Sequence, residues 1–223
     1  MHSPPVDAPS RPQDQRTALR SAGVLTVCSV LLLTLVAVRW SPLVSVDEDI
    51  ATTTHRWAVD EPGLTHAFRI LTDWVWDPWT MRLLCTVAAV WLVWRFTAWW
   101  AALWLGITSL LSALLQQGIK AAVDRPRPVW PDPVDSAHYA AYPSGHAMTA
   151  TVTFGLLLWL LHHYGAGRTL VRIALAVAAL SVAGVGLTRI WLGVHWTSDV
   201  VGGWLLGALV VAVAVFAHGR RRT

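Results

Sequence analysis

The sequence predicts an all-α fold, a six-transmembrane-helix bundle, on three observations. Hydrophobic residues make up 55% of the 223 residues and charged residues only 13%, whereas soluble domains carry about 25% charged residues. The apolar residues lie in six blocks, several of them close to the roughly 20 residues that a membrane-spanning helix needs. The remaining polar residues concentrate in three short clusters between blocks. We therefore expect helices that cross a membrane and loops that carry the chemistry.

The six predicted spans follow one another along the chain. The second and fourth are short, so we expect them to extend into flanking residues such as 78–80 and His162. The first span is expected to be a retained helix, because Arg39 and Trp40 follow it in place of the small residues of a signal-peptidase site. The six spans are about residues 22–38, 81–94, 99–119, 147–161, 170–187 and 200–217.

The charge distribution predicts that both termini are cytoplasmic. With the termini inside, nine basic and two acidic residues lie inside, against eight basic and eleven acidic residues outside. Four of the outer basic residues, Lys120, Arg125, Arg127 and Arg189, lie in the polar clusters. Without them the basic residues favour the inside, as the positive-inside rule requires. We expect a multi-pass protein of the cell membrane.

This topology divides the chain into a membrane domain and two tails. Residues 1–20, with four prolines, are predicted to be a disordered cytoplasmic tail. Residues 21–218 form the membrane domain, and residues 219–223 form a basic cytoplasmic tail. The segment 41–80 is predicted to be an external loop, in which residues 65–76 could form an amphipathic interfacial helix.

Two features are interpreted without a special role. The net charge of +4 is spread over helix ends, so no nucleic-acid partner is predicted. Cys28 and Cys85 both lie within spans, where a small apolar filler is a better interpretation than a disulfide or a metal ligand.

The three polar clusters fall on the same, external face in this topology. They are residues 120–128 (KAAVDRPRP), 142–146 (YPSGH) and 188–199 (TRIWLGVHWTSD). The cations Lys120, Arg127 and Arg189 suit a phosphate group. Ser144 and Gly145 stand at the predicted start of the fourth span, where free backbone N–H groups attract an anion. The predicted bundle therefore has an external active site.

Two histidines and an aspartate complete the set. His195 and Asp199 are four residues apart, so on a helix they would share a face. A carboxylate on one imidazole nitrogen fixes the tautomer and makes the other nitrogen more nucleophilic. His195 could then attack phosphorus, and His146 could protonate the departing oxygen. The cations would stabilise the transition state, so this scheme requires no metal and no cofactor.

These residues and their spacing closely resemble the type 2 phosphatidic acid phosphatase family. The resemblance covers residues 120–199, and Thr188 stands where the family often has serine. It implies a six-helix bundle with His195 as nucleophile, Asp199 as its partner and His146 as acid. It also implies that the phosphate contacts are Lys120, Arg127, Ser144, Gly145 and Arg189.

The expected function is an integral membrane phosphatase that acts on a lipid phosphate or pyrophosphate. By analogy with small bacterial members of the family, undecaprenyl pyrophosphate is the favoured substrate. Phosphatidic acid and phosphatidylglycerol phosphate remain alternatives. Vanadium-dependent haloperoxidases share the motif but are soluble. A non-catalytic phospholipid-binding or transport protein would not need the histidines. Oligomeric state is left open.

Residues near the motif receive more modest interpretations. Arg125 lies off the pattern and is interpreted as a lipid-headgroup anchor, and Asp135 as a loop charge. The glycines in the last span, Gly202, Gly203 and Gly207, are expected to let helices pack closely.

Overall fold

The computed structural model describes residues 12–220, and every regular element among them is helical. A π-helical turn, Leu71–Val75, follows the third of the eight α-helices. The all-α prediction is confirmed. The α-helices are α1 (Pro12–Ala37), α2 (Ser41–Asp60), α3 (Pro62–Ile70), α4 (Pro78–Phe96), α5 (Trp99–Val123), α6 (Gly145–His163), α7 (Arg168–Trp191) and α8 (Thr197–Arg220).

Each predicted span coincides with one of the helices α1 and α4 to α8, and of their residues only Val38 lies beyond the end of its helix. The two short spans do extend into their flanks, because α4 begins at Pro78 and α6 ends at His163. Asp77 caps α4 by accepting a hydrogen bond from the Trp79 backbone N–H at 2.7 Å, and proline is well suited to the first helical position.

Five helical stretches are long and apolar enough to cross a membrane, by length and composition. Helix α6 is not one of them, so the sixth crossing stays a prediction. Only 11–33% of each apolar stretch is buried inside the protein. Large apolar side chains such as Val24, Leu110 and Leu180 are therefore exposed, as the lipid-facing surface of a multi-pass membrane protein requires. The stretches are Leu19–Ala37, Pro62–Phe96, Trp99–Val123, Arg168–Trp191 and Thr197–Gly219.

The segment 41–80, predicted as an external loop, is mostly helical, and its external position stays a prediction. It folds into α2, α3 and the π-helical turn, and the amphipathic helix expected at 65–76 lies within the latter two. Helix α2 has a proline in its first turn and buries Asp47, Ala51, His55 and Ala58, which lie on one helical face. That face packs against α7 and α8, so helix α2 is part of the bundle.

The predicted disordered tail, residues 1–20, is helical from Pro12 onward. Proline is tolerated in the first turn because the N–H that it lacks would have no partner there. Residues 1–11 lie outside the described residues. Helix α8 likewise continues to Arg220, within the segment predicted as a basic tail, and residues 221–223 are not described.

Helix α6 lies at the centre of the bundle, packed against α4, α5, α7 and α8. Its approach to α8 depends on glycine. A Cβ added to Gly203 would lie 2.8 Å from the Ser144 carbonyl oxygen, and one added to Gly207 would lie 2.7 Å from Thr151 Cβ. The predicted close packing at these glycines is confirmed, and it holds the starts of α6 and α8 side by side.

Candidate active site

The three polar clusters converge at one end of the bundle. The Ser144 backbone N–H donates to the Asp199 carbonyl oxygen at 3.0 Å, which joins the second cluster to the third. Lys120 Nζ donates to the Ala140 carbonyl oxygen, and the Ala141 N–H donates to the Arg125 carbonyl oxygen at 2.8 Å. The helix ends thus bring together residues that are far apart in sequence.

His195, in the turn between α7 and α8, forms a buried pair with Asp199, in the first turn of α8. His195 Nδ1 lies 3.3 Å from Asp199 Oδ2, and their side chains are 2% and 0% exposed. The Trp196 backbone N–H also donates to Asp199 Oδ2, at 2.9 Å. The carboxylate is therefore held against one nitrogen of the imidazole ring, as the sequence predicted.

Arg127 identifies the tautomer of His195. One guanidinium nitrogen, Nη1, lies 3.1 Å from His195 Nε2. A guanidinium can only donate, so Nε2 must accept and Nδ1 must carry the proton toward Asp199. Burial, followed by the charge of Arg127, lowers the pKa of His195 well below its ordinary value. The neutral imidazole thus keeps a lone pair on Nε2.

Backbone carbonyl groups hold Arg127 in place. Nε donates to the Tyr139 carbonyl oxygen at 2.9 Å, Nη1 to that of Val194 at 2.5 Å, and Nη2 to that of His138 at 3.1 Å. Burial, followed by the charge of Arg189, lowers the pKa of Arg127 to about 10. The guanidinium therefore remains a cation at neutral pH, and its position beside Nε2 is well defined.

Two buried donors that belong to predicted phosphate contacts have no hydrogen-bond partner among the described residues. They are Nε of Arg189 and the hydroxyl of Ser144, whose residues are 4% and 0% exposed. Buried polar groups are normally hydrogen-bonded, so this pair indicates a site for an acceptor. A Cβ on Gly145 would lie 2.8 Å from Gln116 Nε2, so glycine leaves room for the Gln116 amide beside these donors.

Lys120 and His146 complete the constellation. Lys120 is buried near the end of α5, and His146 is the second residue of α6 and half-buried. Both lie within range of the charges of Arg127 and Arg189. All eight residues predicted for the site thus lie together, although their individual roles remain predictions.

Arg125 is not the free headgroup anchor that the sequence suggested. Its Nη1 donates to Asp199 Oδ1 at 2.6 Å and to the Ser198 hydroxyl at 2.7 Å, and its Nη2 donates to Asp47 Oδ2 at 2.8 Å. The interpretation was wrong because the partner on α2 lies 78 residues away. Sequence spacing around the motif carries no signal for such a contact.

Asp135 is more than a loop charge, because its Oδ2 lies 3.8 Å from Nη1 of Arg189. Its side chain is 15% exposed, and Asp73 also lies within range of the charge of Arg189. Sequence reasoning missed this acidic neighbourhood of a predicted phosphate contact. It partly neutralises Arg189 without giving its Nε a hydrogen-bond partner.

Comparisons with known proteins agree on one family. Residues 101–223 match the model of the PAP2 superfamily. Phosphatidylglycerophosphatase B of Bacillus subtilis is 30% identical over 112 residues, which are 48% of this chain and 55% of that protein. Decaprenylphosphoryl-5-phosphoribose phosphatase of Mycobacterium tuberculosis is 31% identical over 167 residues, 74% of this chain and 86% of that protein. Lipid A 1-phosphatase of Rhizobium johnstonii is 31% identical over 131 residues, 53% of this chain and 49% of that protein. The chain therefore spans about half the length of two of these relatives and most of the third.

A solved structure shows the same fold. The crystal structure of a transmembrane PAP2-type phosphatidylglycerolphosphate phosphatase from Bacillus subtilis superposes with a TM-score of 0.80 at 21% identity. The superposition covers 90% of this chain and 96% of that one. The helical arrangement described above is thus shared along nearly the whole length of both chains.

Proposed function

Because the chain belongs to the PAP2 superfamily, we propose that it is a lipid phosphatase that works through a phosphohistidine on His195. One observation carries the proposal. A neutral imidazole, held by Asp199, directs its Nε2 lone pair toward the Arg127 guanidinium, and the charges of Arg189 and Lys120 lie within range of the same ring. Such an arrangement suits attack on a phosphoryl group, because charge on the phosphoryl oxygens needs preorganised donors.

In the first step, Nε2 of His195 bonds to phosphorus as the bond from phosphorus to the lipid oxygen breaks. His146 donates a proton to that oxygen, so the lipid leaves as an alcohol, or as a monophosphate if the substrate is a pyrophosphate. A bound phosphate brings negative charge beside His146, which favours the protonated imidazole that an acid needs. Asp199 stabilises the positive charge that develops on the His195 ring.

In the second step, water attacks phosphorus and the nitrogen–phosphorus bond breaks. His146, now neutral, takes the proton from that water, and His195 returns to its original tautomer. Lys120, Arg127, Arg189, Ser144 and the Gly145 backbone N–H contact the phosphoryl oxygens in both steps. These donors supply the charge stabilisation, so the residues of this chain suffice for the reaction.

The site is proposed to face the outside of the cell, with six crossings and both termini in the cytoplasm. The excess of basic residues on the opposite face supports this orientation. An amphiphilic substrate fits the arrangement, because its tail can stay in the bilayer while its headgroup reaches the site at the helix ends.

Undecaprenyl pyrophosphate is the substrate that the sequence analysis favoured, and it stays a prediction. The names of the relatives describe phosphates on phosphatidylglycerol, on a decaprenylphosphoryl ribose and on lipid A. The ribose lipid is a second candidate, because that relative aligns over 86% of its length and its polyprenyl chain resembles that of the first candidate.

The decisive experiment measures phosphate release by purified protein in detergent, with EDTA present. Undecaprenyl pyrophosphate, phosphatidylglycerol phosphate, phosphatidic acid and decaprenylphosphoryl-5-phosphoribose are offered in parallel. His195→Ala should abolish release, whereas His66→Ala, which removes an exposed histidine on α3, should leave it intact. Release that requires a metal, or that survives in His195→Ala, would contradict the mechanism. Bromide oxidation in the presence of vanadate would instead favour a haloperoxidase, and binding without release a transport or binding protein.

A further inference from the structure

We propose that Asp47 and Arg125 form a positioning pair that orients the Asp199 carboxylate toward His195. The inference rests on the proposed function and adds two residues to its machinery. Asp47 lies outside residues 101–223, the part of the chain that the family model matches. Buried hydrogen bonds run without a break from Asp47 on α2, through Arg125 and Asp199, to His195.

The Arg125 guanidinium donates to the carboxylates of both aspartates. Nη1 donates to Asp199 Oδ1 at 2.6 Å, and Nη2 donates to Asp47 Oδ2 at 2.8 Å. The other oxygen of Asp199, Oδ2, is then left for the N–H of His195 Nδ1, at 3.3 Å. Because each oxygen of Asp199 has its own donors, the carboxylate plane is fixed relative to the imidazole ring.

All three charged side chains are withdrawn from solvent. The side chains of Asp47 and Asp199 are 2% and 0% exposed, and that of Arg125 is 12% exposed. Trp196 covers the guanidinium, with its ring centroid 5.6 Å from Cζ. Screening by water and salt is weak in such a place, so these contacts constrain geometry more than surface ion pairs do.

The charges explain why the pair needs both members. Arg125 alone would cancel the negative charge of Asp199 and weaken the support for a positive His195 ring. Asp47 balances Arg125, so the three groups together keep one negative charge beside the imidazole. Arg125 can therefore orient Asp199 without neutralising the field that the nucleophile requires.

Asp47 also ties α2 to the start of α8. Its Oδ1 accepts from the Ser198 backbone N–H at 2.9 Å, and its Oδ2 accepts from the Ser198 hydroxyl. Negative charge is favourable at the N-terminus of a helix, where backbone N–H groups lack partners. These contacts fix the position of the start of α8, and of the turn before it that carries His195, relative to α2.

The test combines turnover with the affinity for vanadate, which adopts the five-coordinate geometry of phosphorus under attack. Asp47→Asn and Arg125→Lys should each lower kcat about 10- to 100-fold, the range seen when groups that orient a reacting ligand are removed. KM should change little, because neither residue contacts the substrate. Asp49→Asn, an exposed neighbour on the same helix, is the matched control and should behave as wild type.

Coupling to Asp199 separates positioning from general support of the fold. Vanadate affinity is measured for Asp47→Asn, for Asp199→Asn and for the double variant. If Asp47 acts through Asp199, the double variant should bind vanadate no more weakly than Asp199→Asn alone. Additive losses, or wild-type kcat in both Asp47→Asn and Arg125→Lys, would overturn the proposal.

The Arg125→Lys variant and the wild-type protein provide two further comparisons. Arg125→Lys retains the cation, so it tests the geometry even if Asp47→Asn does not fold, and folding is followed by tryptophan fluorescence on heating. A wild-type protein that releases no phosphate from any lipid would refute the proposed function. The vanadate comparison would then still decide whether the pair positions His195.

Discussion

Replacing Ser144 by alanine should stabilise the protein while lowering its activity. The Ser144 hydroxyl is buried and has no hydrogen-bond partner among the described residues. A buried hydroxyl without a partner costs about 1–3 kcal/mol, and alanine removes that cost without breaking a contact. We expect the free energy of unfolding to rise by about 1 kcal/mol.

The same hydroxyl is proposed to donate to a phosphoryl oxygen of the substrate. A hydrogen bond to a charged group contributes about 1.5–3 kcal/mol, which corresponds to roughly a 10- to 150-fold loss in kcat/KM. Stability and activity should therefore move in opposite directions in Ser144→Ala. A variant that had merely disturbed the packing would lower both.

The assay pairs a melting curve in detergent with kcat/KM on the best lipid substrate. A gain of about 1 kcal/mol should raise Tm by about 2–4 °C for a chain of this size. Ser198→Ala is the contrasting variant, because that buried hydroxyl contacts both Arg125 and Asp47 and its loss should lower Tm. A Ser144→Ala protein with lower Tm and unchanged kcat/KM would refute the reasoning.

Two further predictions concern helix packing and pH. Gly203→Ala places a methyl group 2.8 Å from the backbone oxygen of Ser144, the N-cap residue of α6, so overpacking of about 1–3 kcal/mol should outweigh a helix-propensity gain of about 1 kcal/mol. Tm and kcat should both fall, whereas Gly118→Ala, with nothing within 4 Å, should not lower either. Because the pKa of His195 is lowered in the folded protein, this imidazole binds a proton near pH 6.5 in the unfolded chain but stays neutral there in the folded protein. Stability is therefore lost as pH falls below about 6.5, by up to about 1.4 kcal/mol per pH unit for one proton. His195→Gln should flatten the fall in Tm between pH 7 and 5, and parallel curves would contradict this.

The convergence of the site could be predicted from sequence because its parts lie next to helix ends. Lys120 and Arg189 each stand near the end of a long apolar block, and Ser144 near the start of another. Alternating directions across a membrane then bring these ends to one face, whatever the details of packing. The motif spacing also predicted that His195 and Asp199 are partners, and the structure places His195 Nδ1 3.3 Å from Asp199 Oδ2.

Helix α2 could not be predicted in the same way. Its sequence mixes three consecutive acidic residues, 47–49, with three consecutive threonines, 52–54, and threonine is a weak helix former. Its helicity is stabilised by tertiary contacts, since its buried face lies against α7 and α8. In the sequence, a buried acidic residue such as Asp47 cannot be told from a surface charge unless its partner is known. The partner here is Arg125, which lies 78 residues away.

The two arginines of the RPRP sequence, separated by one proline, contact opposite ends of the His195–Asp199 pair. Arg125 contacts the carboxylate end of the His195–Asp199 pair, and Arg127 contacts the imidazole end. The carbonyl oxygen of Pro126, which lies between them, accepts a hydrogen bond from the Trp196 indole at 2.9 Å, so this short loop is held against the turn that carries His195.

This arrangement also sets a condition on catalysis. In the proposed mechanism, Nε2 cannot attack phosphorus while its lone pair accepts from Arg127, so we expect the Arg127 guanidinium to turn from the imidazole to the phosphate as the substrate enters. Its other donors bind only backbone carbonyl groups, which an anion can replace at small cost because a charged acceptor binds a guanidinium more strongly. Arg125, whose partners are two buried carboxylates, has no comparable alternative and stays in place. In this proposal Arg125 holds the carboxylate of Asp199 in place, and Arg127 exchanges its contact with His195 for a contact with the substrate.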